Sequence, residues 1–217
     1  MSKKYYSIKS EGMFFAKCPK TDSDPDVNDG RTYREWQFGE KSGKTLGWFK
    51  ESLKGKITGA EVKPLGEDMF FAIYLDNGDV FQMKLYESNF LGVAQILGSI
   101  SLDEEVEFKA ALNERKAWTN KYGKRVVPTA IYVNQGEERL AQRWQYNADE
   151  RWFDGLPKPT VEEKFGRKVR DNSAMEAAFD GELDAFIQRV DAFLGIDNEG
   201  DIASTAVEVA DGEDLSF

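Results

Sequence analysis

The chain has 217 residues, 41% of them hydrophobic, and a formal net charge of −10, which allows one sizeable domain or a small domain with appendages. It has no histidine and a single cysteine, Cys18. The sequence therefore excludes histidine-based catalysis and an internal disulfide framework, and it argues against a zinc site. No stretch approaches the roughly 20 apolar residues of a membrane span, and the first residues lack the apolar run of a signal peptide. We expect a soluble cytoplasmic protein without a metal or other cofactor and, since no catalytic motif stands out, without enzymatic activity.

Residues 1–54 are predicted to form an N-terminal β extension of the domain that follows. Short β-like runs come first, and a second candidate hairpin at residues 31–53 is rich in Trp, Tyr and Arg. Two of its rings, Trp36 and Trp48, have two interpretations that the sequence leaves open. They either flank a binding groove or cover one end of the folded body.

Residues 69–86 are predicted to form a β-hairpin around the turn residues Asn77 and Gly78. Asn-Gly between two apolar-rich runs is typical of a two-residue turn in which both residues have φ > 0. In that register Leu75 faces Val80, and a slip by one residue would swap the two faces of the hairpin. The predicted core face carries Phe70, Ala72, Tyr74, Phe81, Met83 and Leu85. The predicted open face, suited to stacking flat rings and meeting negative charge, carries Met69, Phe71, Ile73, Gln82, Lys84 and Tyr86.

The hairpin belongs to a longer series of predicted elements. A β-like run at residues 56–64 precedes it, and a short helix at residues 88–100 follows it. Strands at residues 105–112 and 129–133 come next, with a long loop between them. This order is that of an OB-fold, a five-stranded barrel that commonly binds oligonucleotides or oligosaccharides. We therefore expect a mainly β protein with helices, whose OB-fold-like barrel and flanking segment cover residues 55–155.

The long loop at residues 113–127 carries cations around two aromatic rings. Together with Lys109 it has six Lys and Arg residues against one acid, Glu114. Cations in such a loop can track phosphates while the rings stack on unpaired bases. The alternative is an ordinary exposed hairpin with solubilising lysines. With Trp36, Trp48, Phe71, Lys84 and Tyr86, the candidate nucleic-acid-binding residues are Lys109, Arg115, Lys116, Trp118, Lys121, Tyr122, Lys124 and Arg125.

Residues 156–196 are predicted to form a proline-rich linker and an amphipathic C-terminal helix. The apolar residues of this helix recur every three or four positions and form one stripe along it. This stripe must be buried, either against the chain's own barrel or in a homodimer. Residues 197–217 are acidic, contain no Lys or Arg, and are predicted to be disordered. A basic pocket with a hydrophobic floor could bind the end of this tail. The tail residues assigned to partner binding are Asp211, Glu213, Asp214, Leu215 and Phe217.

The OB-like strand order, the aromatic and basic loop at residues 115–125 and the acidic tail that closes on Phe217 together resemble the single-stranded-DNA-binding proteins of bacteriophage replication systems. The resemblance implies a protein that coats single-stranded DNA during replication, recombination and repair in the host cell cytoplasm. It also implies an acidic tail that recruits a polymerase, helicase or primase and competes with DNA for the same cations. The alternative is a phage protein-interaction or structural module whose OB-like barrel binds protein.

Overall fold

The structure is a computed structural model that describes residues 3–9, 12–17, 30–38, 41–120, 123, 125–147, 149–150, 152–164 and 167–196. Side chains are described for these residues except Lys9, Trp36, Gln37, Phe38, Tyr146 and Lys164. The described chain is mainly β with two α-helices, one of them at its C-terminal end. This confirms the predicted class of a mainly β protein with a C-terminal helix.

One α-helix lies within a long series of strands, and a second follows the last of them. The helices are α1 (Ser88–Ala94) and α2 (Ser173–Leu194), with short 3-10 turns at Leu97–Ser99 and Glu114–Lys116. The strands are β1 (Lys4–Lys9), β2 (Met13–Lys17), β3 (Arg31–Phe38), β4 (Lys41–Lys50), β5 (Ser52–Gly55), β6 (Ile57–Leu65), β7 (Asp68–Leu75), β8 (Asp79–Lys84), β9 (Val106–Leu112), β10 (Trp118–Thr119), β11 (Arg125–Val126), β12 (Thr129–Gln135), β13 (Glu138–Arg139), β14 (Tyr146–Asn147), β15 (Trp152–Phe153), β16 (Thr160–Lys164) and β17 (Arg167–Asp171).

Most of the strands belong to two sheets. The large sheet has seven strands in the order β3-β4-β2-β1-β8-β7-β6, and the small sheet has four in the order β13-β12-β9-β5. Only Lys56 separates β5 from β6, so the chain passes there from one sheet into the other. As a result β6 pairs with β7 in the large sheet while β5 pairs with β9 in the small sheet.

Both sheets are open in the part of the chain that the structure describes, so the expectation of a closed five-stranded barrel is corrected. The elements over residues 55–133 do follow in the predicted order, as β6, β7, β8, α1, β9 and β12. To close the barrel, a further strand would have to pair with the edge of β8 that faces away from β7. Strand β1 already pairs with that edge, in parallel. The N-terminal strands therefore lie inside the large sheet, and Tyr6 and Phe14 are fully buried there.

The hairpin β7–β8 is present, but its predicted register is wrong by one residue, since Tyr74 and not Leu75 pairs with Val80. The loop has three residues and is closed by Gly78, whose φ is 86° and whose N–H donates to the Leu75 carbonyl at 3.0 Å. Asn77 does not share the positive φ, and its Oδ1 accepts the Asp79 N–H at 2.9 Å. This is a three-residue loop with a bulge at glycine, and it exchanges the two faces of β7 relative to the prediction.

The main core lies between the inner face of the large sheet, the small sheet and the two helices. Phe81 of the large sheet meets Phe108 of the small sheet, with ring centroids 5.2 Å apart. Phe71 meets Phe90 of α1 at 6.3 Å and Phe186 of α2 at 6.2 Å, both edge to face. Such edge-to-face contacts add to the stabilisation from apolar burial.

The apolar stripe of α2 is buried against the chain's own core. This is the first of the two alternatives that the sequence left open, the second being burial in a homodimer. Phe179, Leu183, Phe186 and Val190 are almost completely buried, whereas Phe193 near the helix end is 54% exposed. A homodimer through this helix stays a prediction. Neither helix in the described residues is long and apolar enough to cross a membrane.

Candidate nucleic-acid interface

The outer face of the large sheet, which is turned away from the helices and the small sheet, carries aromatic rings and lysines side by side. Tyr74 of β7 lies on this face, and Tyr5 of β1 lies there beside Val80 of β8. Tyr5 is 42% exposed, and Tyr74 is half-buried. Lys63 of β6 belongs to the same face, and Lys3 reaches it from the residue before β1. We call Lys3, Tyr5, Lys63 and Tyr74 the ring–lysine cluster.

The two lysines of the cluster lie over its two rings. The Nζ atom of Lys3 is 4.3 Å from the centroid of the Tyr74 ring, and the Nζ atom of Lys63 is 4.5 Å from the centroid of the Tyr5 ring. Both distances are within the roughly 6 Å at which an ammonium is attracted to a ring face. The cluster therefore places the flat apolar surface of two rings directly beside two positive charges.

Glu61 of β6 fixes the position of two members of the cluster. Lys63 Nζ donates to the Tyr74 hydroxyl at 2.9 Å and lies 3.1 Å from Glu61 Oε1. The Tyr74 hydroxyl in turn donates to the same Glu61 oxygen. Since Glu61 is exposed, this ion pair contributes little to stability and can rearrange when a ligand approaches.

The protonation states of this network are shifted in a consistent direction. Burial and the hydrogen bond to Glu61 raise the pKa of Tyr74 to about 12, while the hydrogen bond from Tyr74 lowers the pKa of Glu61. Burial alone would lower the pKa of Lys63, but its hydrogen bonds to Tyr74 and Glu61 raise that pKa above the usual value. At neutral pH Tyr74 is therefore neutral and Lys63 is charged.

A second set of rings continues across the outer face, beyond β1. Phe15 of β2 lies opposite Phe49 of β4, with ring centroids 4.9 Å apart. The guanidinium of Arg34 lies over the Phe49 ring at 4.9 Å. Phe15 is buried and Phe49 is half-buried, so only the second of these rings offers surface to a ligand.

Among its described residues, the predicted binding loop at residues 113–127 exposes the ring of Trp118. It contains the short hairpin β10–β11, and Trp118 in that hairpin is 52% exposed. Arg115 and Lys116 are also exposed, and Arg125 forms an ion pair with Glu114. The remaining predicted residues of the loop, Lys121, Tyr122 and Lys124, lie outside the described residues, as do the tail residues.

The base of this loop lies at one end of the large sheet. The N–H of Gly12, in the turn between β1 and β2, donates to the Thr129 hydroxyl at 3.1 Å, at the start of β12. The Asn113 N–H donates to the Pro128 carbonyl at 2.8 Å and closes the loop. The loop therefore emerges beside the turn that follows β1, whereas Tyr5 lies near the start of that strand.

The predicted sheet residues are not all brought together. Phe71 is fully buried between Phe90 and Phe186, so its assignment to the open face is corrected, as a consequence of the register of β7. Lys84 lies on the outer face opposite Phe70 and pairs with Asp68 at 2.7 Å.

Two other predicted residues are placed elsewhere, and a third is described only in its backbone. Lys109 lies on the small sheet, opposite Tyr132. Trp48 is half-buried beside the core, and Lys4 Nζ lies over its ring at 4.5 Å. Trp36 belongs to β3, and its side chain lies outside the described part of the structure.

Tyr86 is tied to the C-terminal helix. It is 37% exposed, its φ is 62°, and its hydroxyl donates to Asp180 Oδ1 at 2.7 Å. Its ring also meets the edge of Phe90, with centroids 6.0 Å apart. Tyr86 therefore helps to hold α2 against the fold, which is a role that the sequence prediction did not include.

We expect Tyr86 to make the stability of the fold fall at alkaline pH. Burial and the hydrogen bond to Asp180 raise the pKa of Tyr86 to about 12, above the value of about 10 in an unfolded chain. The stabilisation is complete below pH 10 and is lost as the pH rises towards 12, since the unfolded chain loses its proton first. Denaturant unfolding at a series of pH values should show a smaller loss for Tyr86→Phe than for the wild type. Identical pH profiles for the two proteins would refute this coupling.

The sequence prediction missed Lys3, Tyr5, Lys63 and Tyr74 as site residues. Tyr74 was assigned to the core face by the incorrect register, and the pairing of β1 with β8 joins residues more than seventy positions apart. A usable signal existed in β6, because its alternation already placed Glu61 and Lys63 on one face.

No protein-family model matches the chain, and no curated protein or solved structure matches it either. A function for the chain is therefore inferred from the geometry and chemistry of the described residues.

Proposed function

We propose that the chain binds single-stranded DNA and coats it during DNA replication, recombination and repair, as the proteins of phage replication systems do. The ring–lysine cluster is the observation that carries the proposal. Bases can stack on Tyr5 and Tyr74 while the neighbouring lysines bind phosphates, a combination typical of sequence-tolerant single-strand binding. A duplex keeps its base faces covered, so rings on an open sheet face favour unpaired nucleotides.

The order of the elements supports the same proposal. Strands β6, β7, β8, β9 and β12, with α1 between the third and fourth, follow one another along the chain in the order of OB-fold elements. In OB-folds the face of the second and third strands and the loop between the fourth and fifth bind oligonucleotides. In this chain these are the outer face of β7 and β8 and the loop that carries Trp118.

Local charge and stacking outweigh the negative charge of the whole chain in this proposal. The net charge is −10, which alone would repel DNA over long distances. Stacking of a base on an aromatic side chain contributes about 1–3 kcal/mol, more than the roughly 0–1 kcal/mol of an exposed ion pair. Two rings and nearby lysines therefore suffice for binding at low salt. The acidic tail would compete with DNA for these lysines and would recruit a polymerase, helicase or primase.

A titration of labelled oligothymidylate, followed by fluorescence anisotropy, tests the proposal directly. We expect tight binding of the single strand and much weaker binding of a duplex of the same length. The logarithm of the affinity should fall with the logarithm of the salt concentration, with a slope of about −0.7 for each phosphate bound. The fluorescence of Trp118 should be quenched in parallel.

Failure to bind any single strand at low salt would refute the proposal. Equal affinity for single strands, duplex DNA and a base-free polyanion such as heparin would also refute it, because the rings would then contribute nothing. A single-stranded RNA of the same length distinguishes a DNA-specific site from one that accepts both nucleic acids.

A further inference from the structure

We propose that Lys3 and Lys63 act as exchangeable caps on the rings of Tyr74 and Tyr5, so that the site binds a base more tightly when a phosphate accompanies it. The inference rests on the proposed function, and it concerns how the same site selects its ligand. When a nucleotide binds, the ammonium of each lysine would leave its ring and bind a phosphate oxygen. The base would then stack on the ring face that the ammonium has left.

The distances make the two occupants of a ring mutually exclusive. An ammonium 4.3 Å or 4.5 Å from a ring centroid lies where a stacked base would lie, since stacked rings have centroids only about 4.5–7 Å apart. A base can therefore reach the ring only after the ammonium has moved. Movement is easy, because the lysine stem is flexible and its ammonium is not bound to one fixed geometry.

Moving a lysine off its ring, which we call uncapping, has a cost that a phosphate offsets. The ammonium loses its attraction to the ring, and Lys63 also loses its contacts with the Tyr74 hydroxyl and with Glu61. A phosphodiester next to the stacked base gives the freed ammonium a new and stronger partner. A nucleoside, or an oligomer with a neutral backbone, offers no such partner, and a base-free polyanion leaves the rings bare.

The face also contains a matched control for this exchange. Lys84 lies on the same outer face, but its ammonium pairs with Asp68 at 2.7 Å. Removing Lys84 takes one cation away from the phosphates without uncapping Tyr5 or Tyr74. Removing Lys63 takes away a cation and a cap at the same time.

The experiment compares Lys63→Ala, Lys3→Ala and Lys84→Ala in the full chain with two probes. One is oligothymidylate with natural phosphodiester linkages, and the other is the same oligomer with uncharged methylphosphonate linkages. All three variants should bind the natural oligomer more weakly than the wild type, with a salt slope reduced by about 0.7. The two cap variants should bind the neutral oligomer about two- to fivefold more tightly than the wild type, which corresponds to the loss of one exposed cation–π contact. Lys84→Ala should not show this gain.

The result that overturns the inference differs from the result that overturns the proposed function. If Lys63→Ala and Lys3→Ala weaken both oligomers or leave the neutral one unchanged, the caps do not exist, although DNA binding stands. If the wild type binds neither oligomer, the proposed function fails as well. Circular dichroism of each variant excludes loss of folding as the cause of a reduced affinity.

Discussion

Replacing Tyr5 and Tyr74 together by alanine should lower the affinity for single-stranded DNA by about 30-fold or more. This figure takes the lower limit of about 1 kcal/mol for each base stacked on a ring, and about 1.4 kcal/mol for a tenfold change in affinity. Tyr5 is exposed, and Tyr74 is only half-buried. The double variant should therefore keep its fold, and the loss should come from binding. Anisotropy titration with oligothymidylate at low salt measures the change.

Tyr132→Ala is the control for this double replacement. Tyr132 is also a half-buried ring with a cation above it, the guanidinium of Arg139 at 4.0 Å from the ring centroid. It lies on the small sheet, so its loss should leave DNA binding unchanged. If the double variant binds as tightly as the wild type, or if Tyr132→Ala weakens binding equally, the outer face of the large sheet is not the interface.

Phe71→Ala should destabilise the fold strongly, lowering the free energy of unfolding by about 3–5 kcal/mol. The ring of Phe71 is fully buried and touches rings from both helices. Its removal leaves a cavity where β7, α1 and α2 meet. Chemical denaturation, monitored by circular dichroism and by tryptophan fluorescence, gives the change in unfolding free energy.

The adjacent Phe70 is a close control, since it has the same side chain on the opposite face of the same strand. Phe70 is half-buried on the outer face, so Phe70→Ala should destabilise the fold clearly less than Phe71→Ala. A smaller effect for Phe71→Ala than for Phe70→Ala would mean that the sequence-based register is right and the observed one is wrong. The pair thus tests the register of β7 independently of any ligand.

The hairpin β7–β8 shows what local sequence can and cannot predict. Its two apolar runs and its Asn-Gly turn identified the hairpin and located it correctly. The number of residues in the loop decided the register, and Asn77 stabilises a three-residue loop through its own side chain. The Asn-Gly pair is compatible with a two-residue loop and with a three-residue loop. The faces of β7 could therefore not be derived from the turn residues alone.

The candidate site depended on contacts between distant segments. Tyr5 joins Tyr74 only because β1 pairs in parallel with β8, and no local pattern encodes that partner. The exposed Trp118 was predictable, because no apolar periodicity around it provides a face that would bury the ring. The sequence thus predicted that aromatic rings and cations would be exposed together better than it predicted which of them lie side by side.

The passage from β5 to β6 through Lys56 has a consequence for how the molecule melts. One continuous stretch of backbone is hydrogen-bonded in both sheets, and Asp76 holds the crossover through its hydrogen bonds to the Lys56 N–H and carbonyl at 3.1 Å and 3.0 Å. Separating the strands of one sheet therefore strains the hydrogen bonds between the strands of the other. The two sheets therefore form one cooperative unit, and a strand of DNA seated on the large sheet would also slow the opening of the small sheet, which it does not touch.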